Sequence, residues 1–340
     1  MSLAPSTGFT LGDRRYGAHA SKLTVTLALL PGVDSFRVTL PARADVTCVP
    51  GDQALLELDG GEGSTTVITG KVRGVRRGLD GIEVWAADAG ADLAAVRPAA
   101  TYVGQAGEDV VSALAGEAGV SLGAVDLDLP LASYVAHQQR TSAEHVAILA
   151  DLGGTVASVD GDGSVTLRKR PSGPADAALL FGRELIDYQV HDGPAQPARV
   201  LIGNGPAGTV EAPDALRPTV DRLPEDAPSP GAGAVWRPAP ILRTPSVIAS
   251  ASRAADGATG AASKRLTARC FLLPKLRPGM AIEIQSLPDG FDGGPWLLTR
   301  VVHRVGADGA GTTRLEAESG AGGAGGGLLG AALSAVGSLL

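Results

Sequence analysis

Five histidines, two cysteines and two short glycine-rich runs are the parts of this 340-residue sequence that could carry chemistry. The histidines are His19, His137, His145, His191 and His303. A zinc site needs such residues at close, regular spacing, and a zinc peptidase needs HExxH. No pair here has that spacing, and none lies near Cys48 or Cys270. His145 beside Glu144 has the composition of an acid–base pair. Two neighbours on one helix with a structural task explain it with less. Asp160-Gly161-Asp162-Gly163 starts like a calcium loop, but Pro171 stands where the bidentate glutamate belongs. A hairpin turn accounts for all four residues. Gly203-Asn204-Gly205 lacks the continuation of a dinucleotide-binding loop and reads as a turn. There is no GxSxG elbow and no cysteine in a nucleophile context, although a triad assembled only in space leaves no such trace. The expectation is a protein that is not an enzyme, with no cofactor and no metal, and with both cysteines as buried thiols.

The elements that would position these residues are mostly strands. Hydrophobic residues make up 44% and charged residues 19%, which supports a packed core. Aromatics are only 4%, so that core rests on Val, Leu, Ile and Ala. After an N-terminal arm (1–21), KLTVTLALL alternates, PGVD turns it, and SFRVTL returns. A second set follows, with Gly60-Gly61 and Asp80-Gly81 at its turns. Residues 22–87 thus predict an antiparallel meander that curls into a small barrel.

The middle changes character. Gly107–Gly119 places Val110, Val111, Leu114 and Ala118 on one helical face. Thr141-x-x-Glu144 is a capping box opening a helix to Gly153 that buries Val146 and Leu149. A hairpin, Thr155–Val159 with Val165–Arg170, follows across DGDGS. Strands resume at Leu185–His191 and Ala198–Gly203, and again at Lys264–Leu273, Met280–Ser286, Trp296–Val305 and Thr312–Ala317. The fold class expected is mainly β, with two tube-like antiparallel β-barrels, a small α/β insertion and a long Pro/Gly-rich loop. The boundaries are 22–97 for the first barrel, which 180–203 could complete, and 98–175 for the insertion. The second barrel covers 176–318 with the loop 204–240, and 319–340 is a glycine-rich apolar tail.

One echo stands out. Pro50-Gly51, Leu55-x-Glu57 and TGKVRGVRRG recur in order as Pro278-Gly279, Ile282-x-Ile284 and LTRVVHRVG. Identity is low, so chance and a repeat of one barrel both explain it.

Other features concern partners. Arg73, Arg76 and Arg77, then Arg168, Lys169 and Arg170, are basic clusters in a chain of net charge −7. Pairing with nearby carboxylates is the plain explanation. The sharper one is contact with an acidic neighbouring subunit, which charge reversal would block. Trp85 and Trp296 are expected as core anchors, and Trp236, in the loop, as an interface plug. The run from Leu328 and Leu329 to Leu339 and Leu340 is too short to span a bilayer; after the glycines upstream, disorder and a short helix packed on a neighbouring subunit or spike both explain it. Acidic balance disfavours nucleic-acid specificity, and the N-terminus has no secretory pattern, which points to the cytoplasm.

The runs VDSFRVTLP, PGDQALLEL, TGKVRGVRRGLDGIEVWAADAGADLAAVRP and TYVGQAGEDVVSALAGEAGV, taken in order, resemble baseplate hub proteins of contractile phage tails. So do YVAHQQRTSAEHVAILADLGG and LRPGMAIEIQSLPDGFDGGPWLLTRVVHRV. The group includes late control D proteins and the hub half of VgrG spikes, and the resemblance covers most of 22–317. It implies two barrels per chain and a homotrimer whose six barrels match a six-fold inner tube above and a three-fold spike below. It also implies contacts with other baseplate subunits within a phage tail-like particle or injection system. VgrG chains continue into an OB-fold and a β-helical spike, so a separate spike protein is implied here. The competing expectations are a cell-wall (peptidoglycan or carbohydrate) binding or hydrolysing tail protein, and the tube subunit itself. The first lacks an aromatic platform or carboxylate pair, and the second would need only one barrel.

Overall fold

Alternation of apolar and polar residues builds the first strands, and the computed structural model describes residues 5–17, 20–194, 199–203, 235–239, 241–242, 245–288 and 293–320. Residues expected as an arm form a hairpin, β1 (Ser6–Leu11) and β2 (Arg14–Gly17), because Phe9 and Leu11 alternate inward. Then come β3 (Lys22–Ala28), β4 (Ser35–Leu40), β5 (Gln53–Asp59), β6 (Ser64–Gly78) and β7 (Gly81–Ala87). Leu23, Val25 and Leu27 of β3, Phe36, Val38 and Leu40 of β4, and Leu56 and Leu58 of β5 all face one core.

The order is not the simple meander expected. It runs β3-β4-β7-β6-β5, with β1 and β2 beyond β5. The connection from β4 to β5 is long enough to cross the module, and it drops Val46 and Cys48 into the core on the way.

The chain then leaves the sheet through α1 (Ala89–Ala95), β8 (Ala100–Ala106), α2 (Gly107–Glu117), β9 (Leu122–Val125), β10 (Pro130–Ala136), α3 (Ser142–Leu152), β11 (Thr155–Val159) and β12 (Val165–Lys169). The capping box at Thr141 and Glu144 is present, and Val146 and Leu149 are buried. The strands β13 (Ala177–Leu180) and β14 (Leu185–Asp192) return to the sheet. A second excursion holds β15 (Arg199–Gly203), β16 (Val235–Ala239) and α4 (Pro245–Ala262). It packs on the first, and the two share a second core that includes Leu149, Leu201, Ile248 and Ala251. The strand β16 falls inside the stretch expected as loop 204–240, parallel to β15. The chain closes with β17 (Lys264–Phe271), β18 (Ala281–Gln285), β19 (Gly293–Gly306) and β20 (Gly311–Ser319).

The second module repeats the first. Its order is β14-β17-β20-β19-β18, strand for strand the order β3-β4-β7-β6-β5. Gly51 N–H donates to Val72 O at 2.8 Å and Val72 N–H to Asp52 O at 2.8 Å. Gly279 N–H donates to Leu298 O at 2.8 Å and Leu298 N–H to Met280 O at 2.9 Å. Both turns need glycine, with φ of 100° at Gly51 and 91° at Gly279. One residue later each long strand shifts register, between Val72 and Gly74 in one and Leu298 and Arg300 in the other. The echo in sequence is therefore a structural repeat. The modules join where β19 pairs antiparallel with β3, giving one 13-stranded sheet among the described residues.

Trp296 is 3% exposed and anchors the core as expected, but Trp85 is 40% exposed. Strand alternation sends Ile82, Val84 and Ala86 inward, which leaves Trp85 on the outer face. There its ring lies over Gly74, where an added Cβ would come within 2.2 Å of it. The glycine is what lets the indole lie flat on β6.

Candidate functional site on the open sheet edges

Among the described residues the only neighbouring histidines, His137 just after β10 and His145 on α3, lie in the insertion beside a cleft of about 680 Å³ between β10, α3, β16 and α4. His145 is 1% exposed, its Nδ1 is 2.6 Å from Tyr134 Oη and its Nε2 is 3.1 Å from His137 O. Nε2–H thus donates to the carbonyl and Nδ1 accepts from the phenol, so neither nitrogen is free for a proton or a metal. Burial lowers its pKa, opposed by the bond to His137 O. Glu144 is spent on the helix cap: Thr141 N–H donates to its Oε2 at 2.7 Å. The pair noted in sequence is structural. His303 is fully buried against Thr313 Oγ1 at 2.9 Å, and burial lowers its pKa to about 3. His191 is exposed on β14, and His19 lies outside the described residues.

The remaining motifs are structural too. Asp160 to Gly163 is the β11–β12 turn, with Asp162 Oδ1 accepting from Ser164 N–H at 2.9 Å. Cys48 and Cys270 are free and buried, and burial pushes the Cys270 thiol up to about 12. Among the described residues no group of three or more His, Cys, Asp or Glu is placed to hold a metal ion. No helix among them is long and apolar enough to cross a membrane.

Sequence reasoning missed a pair of buried carboxylates. Asp34 and Asp88 are 3% and 2% exposed. Asp34 Oδ1 accepts from Ala28 N–H at 2.7 Å and closes the β3–β4 turn. Asp88 caps α1, accepting from Gly90 N–H at 2.9 Å. Desolvation, reinforced by the Asp88 charge, raises the Asp34 pKa well above 3.8. Desolvation lifts Asp88 to about 7. The signal was there, since PGVD ends in a turn aspartate and Asp88-Ala-Gly is an N-cap pattern.

A pH dependence follows. The folded state holds a proton on Asp88 that the unfolded chain has released above its ordinary value of 3.8. The contribution of Asp88 to stability therefore falls as pH rises from that value toward about 7 and is lost above it, with Asp34 acting in the same direction. Asp88→Asn keeps an oxygen acceptor for Gly90 and is expected to flatten the decline. Thermal midpoints of both proteins across that range check this, and parallel curves would refute it.

The basic clusters lie apart and each finds partners inside the chain. Arg73 Nη2 meets Asp92 Oδ1 at 2.8 Å, Arg76 Nη2 meets Glu83 Oε2 at 2.8 Å, and Arg77 Nη2 donates to Val46 O at 2.9 Å. On β12 and just beyond it, Arg168 meets Asp160 at 3.4 Å, Lys169 meets Asp126 at 3.1 Å, and Arg170 reaches Glu318 at 4.0 Å. Arg76 and Lys169 keep 78% and 70% of their side-chain surface exposed. Their pairings are of the weak surface kind and easily exchanged. The backbone of Trp236 pairs with Val200 in β16, and Leu328, Leu329, Leu339 and Leu340 lie outside the described residues.

What the sheet leaves open is its edges. Among the described residues β14 ends the strand order. β6 is paired with β5 as far as Lys71, Val72 still exchanges hydrogen bonds with Gly51 and Asp52, and beyond that to Gly78 the only strand beside it among the described residues is β7, on the other side. An open edge presents unpaired N–H and C=O groups to any strand that reaches it. Neither β6 nor β14 contains a proline to blunt it.

No protein-family model and no curated protein sequence matches the chain. Its fold is similar to a tail protein from Neisseria meningitidis MC58, at 12% identity and a TM-score of 0.70, covering 93% of this chain and 97% of that one. It is also similar to the 43 kDa tail protein of prophage MuSo2 from Shewanella oneidensis, at 14% identity and a TM-score of 0.64, covering 92% and 97%. A third likeness is an Escherichia coli component of the type VI secretion system, itself structurally similar to the T4 bacteriophage tail proteins gp27 and gp5. That match has 13% identity and a TM-score of 0.59 and covers 88% and 73%. At these identities the shared property is the fold.

Proposed function

We propose that this chain is a structural baseplate hub of a phage tail or related injection machine, without catalysis of its own. Three copies form a ring that presents six similar modules to a six-fold inner tube and a three-fold face to a spike. The observation that carries this reading is the repeat: one chain holds two copies of the same five-strand order, already joined side by side by β19 and β3. Two modules per chain in three copies resolve a mismatch between six-fold and three-fold partners, which a single-module subunit does not. The fold shared with tail proteins and with a secretion-system component supports the same class of machine. The particle would be the site of action, with other baseplate subunits on the ring's outer surface.

The mass of the purified full chain in solution, with two-dimensional averages of any ring, tests this. The expected result is a trimer with six-fold-like density around an open centre. A closed hexamer would move the chain to the tube class.

A further inference from the structure

The chain contains one seam between its modules, β19 with β3, and the counterparts of those strands in the repeat leave a place for another. In the existing seam, β19 lies beside β3 from Arg300 opposite Ala28 to Gly306 opposite Lys22. Leu29 N–H donates to Thr299 O at 3.1 Å, which fixes the phase. Leu27, Val25 and Leu23 therefore turn their backbone groups toward Val301, His303 and Val305. In the repeat, β6 stands where β19 stands and β14 where β3 stands. Among the described residues, the far end of β6 pairs only with β7, and Gln189–Asp192 of β14 pairs only with β17.

Resting on the hub reading above, we infer that β14 of one copy pairs antiparallel with the far end of β6 in the next copy, closing the ring head to tail. The bulges at Arg73 and Thr299 align the two long strands, and the ladders through β7 and β20, then β4 and β17, align β3 with β14. Carrying the β19–β3 register across sets Val75 opposite Asp192 of the next copy, Arg76 opposite His191, Arg77 opposite Val190 and Gly78 opposite Gln189.

The hydrogen-bonding phase agrees without adjustment. Val75 and Arg77 occupy the places of Val301 and His303, whose backbone groups face β3. On β14, Gly193 N–H donates to Ser263 O at 2.7 Å, toward β17. By alternation Val190 and Asp192 face away from β17, toward the newcomer. A slip of one residue would leave both strands' donors pointing apart. Charge agrees as well, since this end of β6 carries Arg73, Arg76 and Arg77, while β14 carries Asp187 and Asp192. The exposed Arg76–Glu83 and Lys264–Asp192 pairs are weak enough to exchange.

Cross-linking in the full chain tests the register. Arg76 and His191 are both exposed and would form a non-hydrogen-bonded pair, whose spacing suits a disulfide. The double variant Arg76→Cys, His191→Cys is expected to give covalent trimer on mild oxidation, read on a non-reducing gel. A mixture of the two single variants should stop at dimer, and Arg76→Cys with Asp187→Cys, out of register, should stay uncross-linked. Val190→Pro removes one outward donor and should abolish the ring while leaving the circular dichroism of the monomer in place, with a lower unfolding midpoint from the packing Val190 gives up. A trimeric ring that neither cross-links at these positions nor responds to the proline would overturn this seam and leave the hub reading intact. A chain that stays monomeric and uncross-linked at every concentration it tolerates would overturn both.

Discussion

Replacing Arg277 with methionine is expected to lower the unfolding free energy by about 3 kcal/mol. Arg277 belongs to the turn that leads from β17 into β18 of the second module, yet its Nη2 donates to Thr66 O at 2.9 Å and Val67 O at 2.7 Å on β6 of the first. Those carbonyls sit at a register shift, where β5 pairs Leu56 with Ile68 and Glu57 with Thr66. The bulged Val67 has no partner across that ladder. The guanidinium also faces Asp34, Asp160, Asp162 and Asp88, which oppose the lowering of its pKa by burial. Methionine fills similar space but supplies no donor and leaves the buried carboxylates uncompensated. Urea denaturation of the full chain reads the loss. Arg277→Lys should recover part of it through charge alone, because an ammonium cannot span both carbonyls in the same way. A midpoint equal to that of the parent would mean that the two modules do not depend on this clasp.

Gly70→Val is expected to be at least as damaging, costing about 3 kcal/mol or more and reducing soluble yield. An added Cβ at Gly70 would fall 2.1 Å from Ala87 O and 2.8 Å from Asp88 Cα. Both are backbone atoms, and Asp88 is held in place as the cap of α1. The neighbours therefore have little freedom to retreat. Gly70→Ala places the same Cβ and should already show most of the loss. Thermal and urea unfolding check the pair, and an alanine variant as stable as the parent would show that β6 and β7 can separate at that point.

Much of the fold was legible because strands with one buried face write their period directly into sequence. KLTVTLA, SFRVTL and AIEIQ announce both their conformation and their inward residues. The capping box at Thr141 was equally plain. Strand order was less accessible, since nothing local in 41–52 says that β4 skips β5 to reach β7. Helix α4 was missed for a related reason. Its buried face, Val247, Ile248, Ala251 and Ala255, is half alanine and gives little contrast with the exposed side. Trp85 shows the limit of residue type as a guide: a large aromatic suggests burial, but parity on β7 and the space above Gly74 put it outside. The candidate seam was half visible. The arginines of β6 stood out by charge, whereas the open edge of β14 appears only once the repeat has been laid out strand by strand.

The seam within the chain also sets a schedule. β3 is among the first strands to leave the ribosome, and its partner β19 is among the last. Until β19 arrives, the first module stands with β3 as a bare edge, backed by Leu23, Val25 and Leu27. Contacts this distant in sequence form slowly, because a long loop must close before they return any stabilisation. Nascent chains crowded on one message would therefore pass through an interval in which each edge can take up a neighbour's strand in place of its own. Synthesis rate and spacing between ribosomes, rather than final stability, would then govern how much correctly joined protein a cell recovers.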